Sequence, residues 1–214
     1  MTEEPRIYGG VSAAERSAAR RERLLTAATA IWGESGMAAV TVRGVCKAAG
    51  LTPRYFYEHF TNRDELLVAV ADEVRDTLLS AMVRAGLSST GEARQRLTAA
   101  LEAFFQALAG DPHLHRILSS YPDAIGALAQ RRHDALDTVA QLVVTYAPEA
   151  LGVDLDPDQL RRTSLFITGG VNQIIEGWLS GSITLTAAEL AAECAHMCIV
   201  VLQPQRTSSG VIEA

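Results

Sequence analysis

The sequence predicts an all-α fold, and three observations carry that prediction. The 214-residue chain is 48% hydrophobic with a mean hydropathy of +0.11, enough apolar content to bury a substantial core and too much for a disordered polymer. Alanine and leucine abound, whereas the alternating Val/Ile/Thr stretches of half-buried strands are missing. Glycines, prolines and capping residues then cut the chain into pieces of helical length. The expected architecture has about nine helices. A small three-helix head precedes a larger helical body, divided as an arm over 1–15, a head over 16–63 and a body over 64–214.

Each helix has a local reason. From Ser12 to Ser35, Leu24, Ala28, Ile31 and Ser35 share a stripe while Arg16, Arg20 and Arg23 occupy other faces, and Gly36 supplies a left-handed stop. Thr41 can cap a short helix over Val42–Ala49, which Gly50 ends. Thr52 followed by Pro53 starts another short helix that ends near Phe60. Thr61 or Asn62 caps the next, with Asp64 and Glu65 in the first turn where the helix dipole favours negative charge, and it reaches about Leu87. Turn and proline signals at 88–91, Gly110-Asp111-Pro112, Tyr121-Pro122-Asp123, Ala147-Pro148-Glu149 and Asp156-Pro157 place the rest near 92–109, 113–120, 122–146, 157–180 and 186–202.

Composition excludes several classes. The three cysteines, Cys46, Cys194 and Cys198, provide no disulfide framework, and the N-terminus is polar and acidic, unlike a targeting peptide. No apolar run is long enough for a membrane span, so a cytoplasmic protein with no membrane partner is expected. The net charge of −6 is unevenly spread. Residues 1–63 hold nine Arg/Lys against six Asp/Glu, and residues 64–214 hold ten against nineteen. A basic head on an acidic body fits a polyanion-binding module attached to a domain with another task, although on charge alone ordinary fluctuation explains it as well.

The segment Thr41–Phe60, TVRGVCKAAGLTPRYFYEHF, is a helix, a glycine turn and a second helix. Val42, Val45 and Ala49 can face inward, and Phe56 and Phe60, four apart, can anchor the second helix to the region of Ile31 and Trp32. Arg54 and Glu58 then point away from the core, flanked by Tyr55 and Tyr57, which is a shape suited to a DNA major groove. Arg54 can donate two parallel bonds to guanine O6 and N7, and Tyr55 can touch a thymine methyl or a phosphate. Thr41 and Thr52 sit at helix N-termini, which favour phosphate, while Arg43, Lys47, Tyr57, His59 and Arg63 can contact the sugar-phosphate backbone. Every one of these has a plainer reading. Arg54 with Glu58 is equally a solvent-exposed ion pair, Tyr57 a packed ring with a solvated hydroxyl, and His59 a helix-end cation.

This segment closely resembles the helix-turn-helix of the TetR family of bacterial transcriptional regulators. The shared features are the Thr-Val-Arg start, the Lys-Ala-Ala-Gly turn, Thr-Pro, the aromatic pair and His-Phe, with RRERLLTAATAIWGESGM (20–37) and NRDELL (62–67) similar on either side. The resemblance implies base-reading positions at Pro53, Arg54 and Tyr55, and phosphate contacts at Tyr57, His59 and Arg63. Two departures stand out. Gly44 replaces a commonly acidic residue, with a looser first helix expected, and Glu58 replaces an aromatic or polar one. A carboxylate at 58 repels phosphate but can accept a bond from cytosine N4.

So small a reader gains affinity by twofold symmetry, so a homodimer on a palindromic double-stranded DNA operator is expected. In 165–183, Gly169 and Gly170 interrupt a good helix at about 1 kcal/mol each relative to alanine, which indicates either close approach of another helix or a kink. The resemblance implies a dimer interface built from the last two helices, around Gly169, Gly170, Cys194 and Cys198. It further implies a repressor released from DNA by a small, often apolar effector of unknown identity. Candidate lining residues are Phe104, Phe105, His115, Tyr121, Asn172 and Trp178, though aromatics at helical spacing are more often core.

No cofactor, metal or catalytic residue is assigned. His113-x-His115 reads as solvated or capping, and in Cys194-x-His196-x-Cys198 the histidine lies some 200° around the helix from the two thiols. No Gly-x-Ser-x-Gly elbow, phosphate loop or His-Glu-x-x-His motif supports an enzyme. A ligand-binding or scaffold protein with a vestigial head is the remaining rival.

Overall fold

Apolar periodicity and capping chemistry predict helices throughout, and the computed structural model, which describes residues 12–119, 126–151 and 156–202, contains nine α-helices and no strand among them. They are α1 (Ala13–Ser35), α2 (Val42–Ala49), α3 (Pro53–Tyr57), α4 (Arg63–Ser88), α5 (Ala93–Gly110), α6 (Pro112–Ser119), α7 (Gly126–Leu151), α8 (Pro157–Leu179) and α9 (Ala187–Leu202). The caps are those the residue types favour. Ser12 and Glu15 form a reciprocal capping box on α1, Asn62 Oδ1 accepts from the Glu65 N–H at 2.9 Å, and Asp156 accepts from the Gln159 N–H at 2.9 Å. The Ser12 and Thr186 backbone N–H groups, aided by their hydroxyls, hold the carboxyls of Glu15 and Glu189 below the ordinary range.

Three local expectations need correction. Gly36 has positive φ (84°) but an extended ψ of 162°, so α1 ends in an open glycine followed by a 3-10 turn at Met37–Ala39 rather than in a left-handed cap. Helix α3 stops at Tyr57, not near Phe60, because the chain tightens there, with the His59 N–H bonding the Phe56 carbonyl at 3.0 Å. Helix α7 runs through Pro148 to Leu151 instead of ending before it, with the proline in the closing turns, where few backbone bonds are at stake. At Gly44, where a looser α2 is expected, the first turn is closed by the Gly44 N–H on Thr41 Oγ1 at 3.1 Å. The expected start of α7 at 122 falls outside the described residues.

Contacts divide the chain into two units, Met1–Leu78 with Ala107–Arg132, and Leu79–Gln106 with His133–Ala214. In the first, α1 packs on α2, α3 and α6, and Leu24, Ala28, Trp32, Val45, Phe56 and Phe60 are buried. Ile31 is half-buried and Ser35 exposed, so the buried line of α1 passes through Trp32 instead. In the second, α9 presents Leu190, Ala191, Cys194 and Ala195 to Leu101 and Phe105 of α5, and Cys198 and Leu202 join Leu160 and Ile167 of α8. No described helix is long and apolar enough to cross a membrane.

Candidate nucleic-acid interface

The α2–α3 pair is built by two glycine and threonine devices. Thr41 closes the first turn of α2, and Gly50, in the left-handed region (φ 62°, ψ 37°), turns the chain so that α3 can start at Pro53. Phe56 and Phe60 are buried 5.6 Å apart between ring centroids, fixing one face of α3 inward. The opposite face is thereby turned out. Thr52, Pro53 and Arg54 are exposed, the Arg54 side chain by 86%, and Tyr57 is 60% exposed. Arg43 and Lys47 are exposed on α2. Thr41 accepts from Gly44 and keeps its own hydroxyl hydrogen to donate.

Arginines of this unit serve two masters, and the structure separates them. Arg23 donates to the carbonyls of Ala49 and Gly50 at the C-terminus of α2, where orphan acceptors and the dipole favour a cation. Arg116 of α6 caps α1 in the same way, donating to the carbonyls of Gly33, at 3.1 Å, and Glu34. Arg63 joins this structural group. Its Nε donates to the Val40 carbonyl and its Nη2 to the Met37 carbonyl, both at 2.6 Å, and Nη1 lies 3.4 Å from Asp64. Arg63, an expected phosphate contact, thus clamps the turn before α2. His59, another expected phosphate contact, is half-buried with its Nε2 covered, and its ring is tilted against Phe60 at 6.5 Å between centroids.

Arg20 is the residue packed against α3 that sequence reasoning missed. Its guanidinium lies 4.7 Å from the Tyr55 ring centroid and its Nη2 is 3.8 Å from Glu58 Oε2, while Arg54 Nε is 3.5 Å from Glu58 Oε1. Tyr55 is accordingly half-buried beneath Arg20. The signal was present, because Arg20 stands one turn before Leu24 on the line that continues through Ala28 and Trp32 into the core. At the start of α4 the Thr61 hydroxyl and backbone N–H hold the Glu65 carboxyl below its usual range.

The other candidates lie elsewhere. Phe105 is fully buried, edge-on to Trp178 at 5.4 Å and to Phe104 at 5.5 Å, both half-buried, and the Trp178 indole donates to the Leu185 carbonyl at 2.8 Å. Asn172 is half-buried, 3.3 Å from Glu176. Tyr121 and the His115 side chain lie outside the described residues. Gly169 and Gly170 are exposed with nothing within 4 Å of an added Cβ, beside Leu165 and the 70% exposed Phe166. Cys194 and Cys198 are covered inside their own chain. Met197, Val200 and Val201 form the apolar exposed side of α9 in their place.

A short, braced α3 projecting arginine, proline and tyrosine beside a basic α2 defines a helix-turn-helix of the kind that enters a major groove. Comparison agrees. The sequence model described as "Bacterial regulatory proteins, tetR family" matches residues 24–70. An HTH-type transcriptional activator of Mycolicibacterium smegmatis, FasR, is 36% identical over 99 residues, a match spanning 46% of this chain and 45% of that one, less than half of either. A regulator of Rhodococcus sp. assigned to the TetR family superposes with a TM-score of 0.69 at 21% identity, covering 87% of this chain and all of that one. The transcriptional regulator FadR of Bacillus subtilis, in complex with stearoyl-CoA, gives 0.66 at 16% identity, covering 85% and 99%. The family match covers residues 24–70, the stretch that holds α2 and α3.

Proposed function

We propose that this chain binds a palindromic operator as a homodimer and leaves it when a small-molecule effector binds. The observation that carries the reading is the outward face of α3, where Arg54 stands 86% exposed behind buried Phe56 and Phe60. Arg54 pairs with guanine, Pro53 and Tyr55 shape the contact with neighbouring bases, and Thr41, Arg43, Lys47, Thr52 and Tyr57 hold phosphates. A second copy joins through the apolar face of α8 and α9, where Phe166 and the open Gly169–Gly170 surface need a cover. The sign proposed is repression, since a dimer on a promoter obstructs polymerase without any further contact, although the similar FasR is named an activator.

The effector reading rests on the FadR likeness and on the body of the chain, where Phe104, Asn172 and Trp178 are half-buried around the fully buried Phe105. A long-chain acyl thioester is the first ligand to try. The experiment is selection of bound duplexes from a random-sequence pool at moderate salt, then challenge of the winner with acyl thioesters. An enriched inverted repeat that such a ligand releases supports the proposal. Uniform retention that fades as salt rises leaves mere phosphate attraction and contradicts it.

A further inference from the structure

Glu58 is an odd residue to find on a face that meets a polyanion, and its partners explain what it does there. Its carboxylate lies between two guanidinium groups, Arg54 Nε at 3.5 Å and Arg20 Nη2 at 3.8 Å. Arg20 is held, with a side chain 24% exposed and seated over Tyr55, so Glu58 is drawn towards a fixed cation. Arg54 is held along one edge only. The pair engages its Nε, which leaves the two terminal nitrogens, Nη1 and Nη2, to meet a ligand end-on.

That arrangement treats two ligands differently. Guanine is a neutral partner whose O6 and N7 accept from the terminal nitrogens while the Nε stays beside the carboxylate. A phosphate on the same nitrogens brings a second anion close to Glu58, and the repulsion grows as the interface loses water. We propose that Glu58 is a specificity-determining residue acting through Arg54, withholding that arginine from the phosphate backbone while leaving it available to guanine, with Arg20 as the positioning residue that keeps the carboxylate in place. This rests on the DNA-binding reading above.

The test compares the full-length wild type with Glu58→Gln on the selected duplex and on a random-sequence duplex over a series of salt concentrations. With the carboxylate gone, Arg54 is free to take a phosphate. The dependence of log affinity on log salt for random DNA should steepen by about 0.9, one phosphate contact, and the preference for the selected duplex should fall about tenfold. Adding Arg54→Ala to Glu58→Gln should return the slope to the wild-type value. Arg20→Gln should give a smaller change in the same direction. Glu58→Ala serves as a second variant if the glutamine disturbs folding, which thermal melting would reveal.

Unchanged slope and preference in both variants would overturn the inference and make the trio an ordinary surface ion network. Lost preference at a single base pair with an unchanged slope would also overturn it, since Glu58 would then be reading a base itself. Either result leaves the wild-type selection standing. A wild type that enriches no duplex removes the DNA-binding reading, and this inference falls with it.

Discussion

The α2–α3 region and the α8–α9 pair treat water in different ways. Around α3 the large apolar rings, Phe56 and Phe60, are inside, while Arg54 and Tyr57 face out, and the helix ends nearby are closed by Arg23 and Arg63. On α8 the order is mixed, with polar side chains buried beside Leu160 and Ile167. Ser164 and Thr168 are buried, bonding back to the carbonyls of Leu160 and Ser164 at 2.7 and 2.8 Å, while Phe166 is exposed and Met197, Val200 and Val201 of α9 are partly so. The first region is complete in one chain and offers polar groups to a charged ligand. The second leaves large apolar side chains open. The contrast fits the proposed division between a surface that recognises and a surface that assembles.

Breaking the assembling surface should have the largest effect. Phe166→Asp, or Gly169→Leu, should give a monomer in sedimentation and lower operator affinity by roughly a hundredfold or more, because two half-sites no longer act together. Gly169→Ala sharpens the point by its sign. Without a partner helix it stabilises α8 by about 1 kcal/mol, and against a close partner it weakens dimerisation. Next comes Arg54→Ala, which should cost about ten- to a hundredfold on the selected duplex and little on random DNA, read by fluorescence anisotropy.

Arg63→Ala should act on stability, lowering it by about 1–3 kcal/mol in urea unfolding through the loss of two carbonyl partners, and lysine should not restore it because one ammonium cannot reproduce the fork. The smallest effect is alkaline. Burial pushes the Cys194 and Cys198 thiols from an ordinary value near 9 up to about 11. The folded state holds those protons more tightly than the unfolded one, so stability is intact below about pH 9 and declines as pH rises towards 11. A variant with alanine at both positions should show a flatter urea midpoint between pH 9 and 10.5.

Much of this was legible in the sequence because it is local. The caps at Thr41 and Asn62, the glycine stop at Gly50 and the helix-period burial of Val45, Ala49, Phe56 and Phe60 depend on neighbours within one or two turns. So does the separation of buried Cys194 and Cys198 from exposed His196. What escaped depends on where a long side chain goes after its helix is placed. Arg20, Arg23, Arg63 and Arg116 look alike in sequence, yet one braces α3 and three cap carbonyls as many as 83 residues away. The same limit moved Cys194 and Cys198 from a proposed interface into the chain's own core.

The most direct measurement of the account is the stoichiometry of the purified chain on its selected duplex, by sedimentation equilibrium. Two chains per duplex are expected, on an inverted repeat whose half-sites lie on one side of the DNA about one helical turn apart or a multiple of it. One chain per duplex, or a selected sequence without internal symmetry, would contradict it.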